Sequence, residues 1–372
     1  MSIAGNCHIC GSATMALSLQ REISTVTSDC KPWRDPLRLC RCDDCGQVQS
    51  VLDSRWVLSS RDIYSTYEPY FQSASRDQSV FTSSGIESRT AKFCRSALES
   101  AQLDYGSVVL DYGCGSGNVA RCIRHIRSDL RIHGLDLSDR LWAEGDLASV
   151  VDEFHIAEIP DDRKFDLIVV SHSLEHVTNP AVLLLDLVKH LTAKGRLAIV
   201  VPNCVNDPLK LFVADHCTHF SPDGLTSLLA RAGFICEDLG PGSSEREIQL
   251  LARIDSPMAS QIPDSAWVLK SIQRVLEAAH QLAEVTSRTP QIGVFGTSIA
   301  GTWVLAEKPN HVVAFVDEDP GRVGRTFHAR PVVDPARIPD SLDVVIPPME
   351  FDSEKLVSRL RVKYPTVRWL SL

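Results

Sequence analysis

The stretch Val108-Val109-Leu110-Asp111-Tyr112-Gly113-Cys114-Gly115-Ser116-Gly117 decides the fold. A short apolar run stops at an acid and passes at once into three glycines at alternate positions. That pattern predicts a strand feeding a tight turn, with backbone free to approach a ligand wherever a Cβ would collide. Asn118–Ile126 is the helix expected to leave the turn. Glycine-rich turns occur in nucleotide binders, dinucleotide enzymes and ordinary βα units alike, so the neighbouring stretches carry the decision.

The next strand, residues 131–137 (R-I-H-G-L-D-L), reaches Asp136 about 20 residues after the glycines, the distance at which an acid in such folds meets a ribose. The phosphate separates methyl donors from nicotinamide cofactors. S-adenosylmethionine (SAM) has no pyrophosphate, so its loop tolerates an acid just before the glycines, as Asp111 stands here, where a dinucleotide would meet repulsion. Residues 164–170 (K-F-D-L-I-V-V) read as a buried strand opening into S-H-S-L-E-H-V, and residues 195–203 (G-R-L-A-I-V-V-P-N) as another. These four stretches, in this order, resemble a class I SAM-dependent methyltransferase over roughly residues 88–254. The expected cofactor contacts are Asp111, Gly113, Gly115 and Gly117, then Asp136 and Leu137, then Ser171 and His172 after the next strand.

Composition bounds the rest. The chain has 372 residues, enough for two or three domains, and its 44% hydrophobic and 23% charged content is that of an ordinary soluble protein. No apolar run reaches the roughly 18 residues of a membrane span and no basic-then-apolar leader opens the sequence, so a cytoplasmic location without membrane attachment is expected. A net charge of −9 without a long Lys/Arg cluster leaves no electrostatic footprint for nucleic acid. Small-molecule chemistry is the expected business of the chain.

Six of the twelve cysteines fall in the first 45 residues: Cys7 and Cys10 in C-H-I-C, Cys30, then Cys40, Cys42 and Cys45 in C-R-C-D-D-C-G. Reduced thiols in a chain without a leader point to metal rather than disulfides. Two C-x2-C knuckles about 30 residues apart complete a tetrahedral zinc site in a segment too short for a large core. Cys7, Cys10, Cys42 and Cys45 are its expected ligands. Four thiolates leave no open coordination position, which makes the role structural.

Residues 52–88 show no sustained helical or strand period and read as a connecting segment. Tyr64, Tyr67 and Tyr70 within it are either a lid over a pocket or anchors of the linker. Residues 85–100 read as the helix before the first sheet strand. His172 and His176, four apart with Glu175 beside the second, fall just beyond a strand end, where ligands sit in open α/β sheets. They form pocket wall or, for His176, a proton carrier. A second cluster, F-V-A-D-H-C-T-H-F-S over residues 212–221, sets Asp215 before His216 and His219 three positions on. A carboxylate beside an imidazole can orient it as a general base. Ser221 and Pro222 at the same time have the chemistry of a helix N-cap and first helical position.

Residues 264–287 read as one long linker helix. Beyond Pro290 a second Rossmann-like unit begins: strand 291–295, the turn G-T-S-I-A-G, a helix, then Val312–Val316 running into Asp317. Recognition of the nucleotide part of a substrate and plain packing both account for it. Four segments are therefore expected: a zinc-binding domain over 1–60, a methyltransferase domain over 61–256, the linker helix over 257–289 and a C-terminal Rossmann-like domain over 290–372.

A zinc-knuckle pair, a class I methyltransferase core and a trailing Rossmann-like domain, in that order, resemble the bacterial sugar C-methyltransferase family. Pro36-Leu37-Arg38-Leu39 before Cys42-Asp43-Asp44-Cys45-Gly46 is similar to that family's N-terminal pattern, and residues 213–221 to its Y-H-E-H-F-S-Y-F-S loop. The acid and its histidine survive at Asp215 and His216; both tyrosines and the first histidine do not. The resemblance implies an α/β protein with SAM as cofactor, zinc as structural metal and a nucleotide diphosphate keto-sugar as acceptor. His216, oriented by Asp215, is then the base that takes a proton from the carbon beside the ketone. His176 and Tyr70 hold the enolate or the sugar, and His219 stands close by. The missing tyrosines leave transfer to oxygen or nitrogen, and a silent SAM-binding protein, as alternatives.

Overall fold

The computed structural model describes residues 3–19, 21–68, 77, 79–82, 85–137, 147–242, 244–255, 266–348 and 354–372. Its centre is a seven-stranded sheet with strands in the spatial order Glu153–Ile156, Arg131–Asp136, Val108–Tyr112, Phe165–Ser171, Leu191–Pro202, Glu247–Ile254 and Phe234–Pro241. The first five run parallel and the last two join antiparallel. Parallel strands buried on both faces read as unbroken apolar runs, which is why L-I-V-V and L-A-I-V-V were visible in the sequence.

The strand pleat sends alternate residues into two cores. Leu110, Ile168, Val170, Leu197, Ile199 and Val201 face helices Pro180–His190 and Pro222–Arg231. Val109, Ile132, Leu167, Val169, Ala198 and Val200 face helices Arg89–Ala101 and Asn118–Ile126. The result is a three-layer sandwich whose strand ends meet the glycine turn along one edge.

Around this core the segments interlock. A five-stranded sheet is built from Ile3–Asn6, Ala13–Ala16, Leu39–Cys42 and Val48–Ser50, and its fifth strand, Thr218–His219, comes from the central domain. The C-terminal unit is a six-stranded sheet around Ile292–Phe295 and Val312–Val316.

Two expectations about this periphery change. Residues 54–65, taken as connection, form a helix, with the Asp53 side chain accepting from the Trp56 N–H at its start. That helix also crosses the boundary expected near residue 60. The helix Ala266–Arg288 does more than link: Val268, Ile272, Val275 and Leu282 share one core with Trp303 and Phe315 of the C-terminal unit and Leu209 and Phe212 of the central domain.

Candidate active site

The glycine turn is held by its own backbone. Gly113 and Cys114 N–H groups donate to the Leu135 carbonyl, and Gly115 N–H donates to Oδ2 of Asp136 at 2.8 Å. Asp136 is therefore tied to the loop, while its Oδ1 accepts from the Leu137 N–H. All three glycines have positive φ, where a side chain is strained. A Cβ on Gly113 would stand 2.3 Å from Ser173 Oγ, and one on Gly117 2.0 Å from Leu147, whereas one on Gly115 would meet nothing within 4 Å. Gly113 and Gly117 thus face packed neighbours, and Gly115 faces open space.

Asp111 sits just below, 1% exposed, with Oδ2 unpartnered among the described residues. Burial raises its carboxyl to about 7, against the pull of the Ala120 N–H. An orphaned carboxylate beneath an open glycine turn, with a second carboxylate at the next strand end, suits a ligand carrying a ribose and positive charge. The residues expected to hold SAM fit that group.

Ser171 ends its strand in the same sheet edge, and the turn that follows packs onto the glycines through Ser173. His172 adopts a left-handed backbone with φ of 51° and turns its ring to two carboxylates, Nε2 3.0 Å from Glu247 and Nδ1 3.4 Å from Glu175. Burial opposes its protonated form, but the two glutamates prevail and its pKa is raised. Its ring nitrogens are thus occupied by protein groups.

The second histidine cluster lies against this turn. His176 Nδ1 lies 3.0 Å from the Tyr64 hydroxyl, 3.1 Å from the Asp215 carbonyl and 3.4 Å from Asp215 Oδ2. The His176 and His216 rings meet edge to face with centroids 4.8 Å apart. His216 is 3% exposed, its Nδ1 has no partner among the described residues, and burial followed by the charge of its neighbours holds it well below the usual imidazole pKa. The expectation that Asp215 orients His216 is corrected: the Asp215 oxygens accept from Ser28 N–H at 2.8 Å and Ser28 Oγ at 2.5 Å, and its carboxylate faces His176. Neighbours in sequence point apart here because a partner from the N-terminal segment captures the acid first.

His219 is 1% exposed, its Nε2 3.3 Å from Ser50 Oγ, and burial pushes it down to about 3. It belongs to the seam between sheets rather than to the open face. Tyr70 lies outside the described residues. Tyr64, six positions earlier in the same aromatic run, reaches His176 among the described residues; the sequence showed the run but not which ring would meet the histidine.

Cys7, Cys10, Cys42 and Cys45 converge, with one sulfur from each within 4.8 Å of all the others and Cys7–Cys45 and Cys10–Cys42 at 3.4 Å. A tetrahedral zinc with Zn–S bonds of about 2.3 Å needs sulfurs about 3.8 Å apart, and the cluster is compatible with that. Contact with Cys45 pulls the Cys7 thiol down to about 5 and pushes Cys45 up, as expected of adjoining sulfurs that cannot all ionise without a cation among them. Cys40 lies apart, its thiol against the Gln49 and Ser50 carbonyls.

In the C-terminal unit, Asp317 accepts from Thr297 N–H at 3.0 Å and Thr297 Oγ1 at 2.9 Å, and Arg322 lies 3.2 Å from the same oxygen. The acid at the ribose position of this second turn is already engaged within the protein.

Residues 86–239 match the family model described as a methyltransferase domain. Over 137 residues the chain is 27% identical to the mitochondrial ubiquinone biosynthesis O-methyltransferase of Candida albicans, a match covering 34% of this chain and 42% of that protein. The chain thus spans about two fifths of the length of that curated relative. Among solved structures, an S-adenosylmethionine-dependent methyltransferase from Clostridium acetobutylicum is 13% identical with a TM-score of 0.38, covering 45% of this chain and 92% of its own. One from Mesorhizobium loti is 20% identical with a TM-score of 0.35, covering 42% and 96%.

Strand order and the acid-clamped glycine turn give the central segment the Rossmann-like fold of class I methyltransferases, and residues 86–239 within it match the methyltransferase-domain model. In this chain that domain is flanked by a four-cysteine module and by a second Rossmann-like unit. Among the described residues no helix is long and apolar enough to cross a membrane.

Proposed function

We propose that the chain is an enzyme that methylates carbon beside a ketone in a nucleotide-linked deoxy sugar or a related small molecule, with His216 as general base. The observation that carries this reading is the state of His216: a buried imidazole held well below its usual pKa, with a nitrogen unpartnered among the described residues, set against the turn that packs on the glycines. Burial favours its unprotonated form, which is the form that can accept a proton. SAM, held by Asp111, Gly113, Gly115, Gly117, Asp136 and Leu137, supplies an electrophilic methyl group when bound.

The remaining groups have distinct tasks. His176, braced by the Asp215 carboxylate and the Tyr64 hydroxyl, offers a hydrogen bond to the oxyanion that forms as the proton leaves. Lys210, half-buried, shares a neighbourhood with Arg89, Arg246 and Asp207, and burial lowers its ammonium pKa. Arg246 is paired with Asp207 and Arg89 with Glu247, so these cations are matched by carboxylates within the protein. Zinc in the four-cysteine cluster is structural in this reading.

The test is an incubation of the zinc-loaded protein in D2O with thymidine or uridine diphosphate 4-keto-deoxy sugars, without methyl donor. Carbon-bound deuterium beside the ketone is expected with wild type and lost in His216→Ala. No such exchange, with rapid methylation once SAM is added, would instead favour transfer to oxygen, the chemistry named for the Candida albicans relative.

A further inference from the structure

The cysteine module and the loop that carries Asp215 and His216 are joined more closely than a separate structural domain requires. Residues 213–217 have no regular secondary structure beyond an isolated bridge, yet their backbone is buried, so their polar groups need partners. Many of those partners come from the module. Val26 O accepts from Ala214 N–H at 2.8 Å, and Trp56 Nε1 donates to Ala214 O at 3.0 Å. Ser28 holds both oxygens of Asp215. Ser50 Oγ donates to His216 O at 2.7 Å, Ser50 N–H to Cys217 O at 2.9 Å, and Gln47 Nε2 to His219 O at 3.0 Å.

Both knuckles feed directly into these contacts. The Cys42–Cys45 knuckle runs on into Val48 and Gln49, which pair antiparallel with His219 and Thr218. The Cys7–Cys10 knuckle encloses His8, whose Nδ1 lies 2.8 Å from Thr218 Oγ1 and whose N–H donates to Gln49 Oε1 at 2.9 Å. The glycine cradle is built differently. Its hydrogen bonds, Gly113 to Leu135 and Gly115 to Asp136, stay inside the central domain.

We infer that the four-cysteine module is the jig that places the acceptor side of the active site: His8 is a positioning residue, and metal occupancy sets the order of residues 213–219 while leaving the methyl-donor cradle intact. The assignment of this loop to the acceptor side rests on the function proposed above. The physical basis is cross-linking. A tetrathiolate ion ties the first hairpin to the second, and through His8 and strand Val48–Ser50 that tie fixes both edges of the loop.

Hydrogen–deuterium exchange by mass spectrometry on the full zinc-loaded chain, paired with calorimetric titration of S-adenosylhomocysteine, tests this. In His8→Phe, one equivalent of zinc is retained, amides of residues 213–219 exchange at least tenfold faster, and both the exchange of residues 111–137 and the ligand Kd stay within twofold of wild type. His8→Gln, whose amide still reaches Thr218, restores protection. Chelation produces the same local loss, reversed by adding zinc back. Should His8→Phe not fold, Thr218→Val, which removes only the hydroxyl, takes its place with the same expectation. Unchanged protection of 213–219 in the variant and after chelation would overturn the inference, and so would a parallel loss at residues 111–137. Neither readout depends on methyl transfer; an inactive enzyme with the expected exchange pattern would count against the proposed reaction and not against the jig.

Discussion

The Asp215 carboxylate stands 3.4 Å from Nδ1 of His176, while Nδ1 of its chain neighbour His216 has no partner among the described residues. In the proposed reaction the two histidines would divide the work: one is braced by an acid, the other is desolvated and held below its usual pKa. A braced imidazole suits hydrogen-bond donation to an anion, and an unbraced neutral one suits proton removal.

That division predicts the kinetics of three variants. His216→Ala should lose about 10²–10⁴ in kcat with S-adenosylhomocysteine affinity unchanged. Asp215→Asn and His176→Gln should each cost less, and together little more than either alone, because they act as one unit. A double-mutant cycle on kcat/KM, with a coupling of about 1–2 kcal/mol, checks this; full additivity would separate the pair.

Gly117 and Gly115 should behave differently on replacement by alanine. Gly117→Ala drives a Cβ into Leu147 and should cost about 2–4 kcal/mol of stability by denaturant unfolding. Gly115→Ala meets open space, so only its left-handed backbone resists, at about 1 kcal/mol. Affinity for S-adenosylhomocysteine should nonetheless fall more than tenfold in Gly115→Ala, since the added methyl occupies the cradle. Equal stability losses in the two variants would contradict this assignment of faces.

Much of this was legible in sequence, and the reason is local chemistry. Asn118–Ile126 and Val312–Val316 fall where expected because a glycine turn and an apolar run mark their ends. The cysteine cluster was readable from spacing alone. The helix Ser54–Ser65 was missed because only Ser59 and Ile63 along it are fully buried, leaving almost no apolar period, and its one start signal was Asp53. The partner of Asp215 was beyond reach for another reason: Ser28 lies 187 residues away, and nothing near either residue announces the pairing.

Asp111 gives a pH signature. Its carboxyl titrates in the fold at about 7, above the ordinary carboxyl range, so the ligand-free fold binds a proton there that the unfolded chain has already released. The stability tied to that proton is full below the unfolded pKa, declines steadily as pH rises between the two values and is gone above about 7. Asp111→Asn should therefore be more stable than wild type at pH 8.5, on the order of 1–3 kcal/mol, with the difference shrinking by pH 5.5. Melting temperatures of the two proteins across that range decide it; a gap that does not depend on pH would mean Asp111 is ionised throughout.

The Asp317–Thr297 contact yields a prediction for the C-terminal unit. With its acid already bonded to Thr297 and Arg322, this turn should give no thermal shift with NAD or NADP, and Asp317→Ala should destabilise the chain by about 1–3 kcal/mol through the buried donors it strands. Saturable binding of either dinucleotide would show that the contact opens for a ligand.

The central claim, that the turn from Asp111 to Gly117 and the acid at Asp136 form a cradle for the methyl donor, is tested most directly by calorimetric titration of S-adenosylhomocysteine into the zinc-loaded chain. The account predicts one equivalent bound per chain with saturable heat, abolished in Asp136→Ala while the zinc content stays at one. No binding by wild type, or undiminished binding by Asp136→Ala, would contradict it.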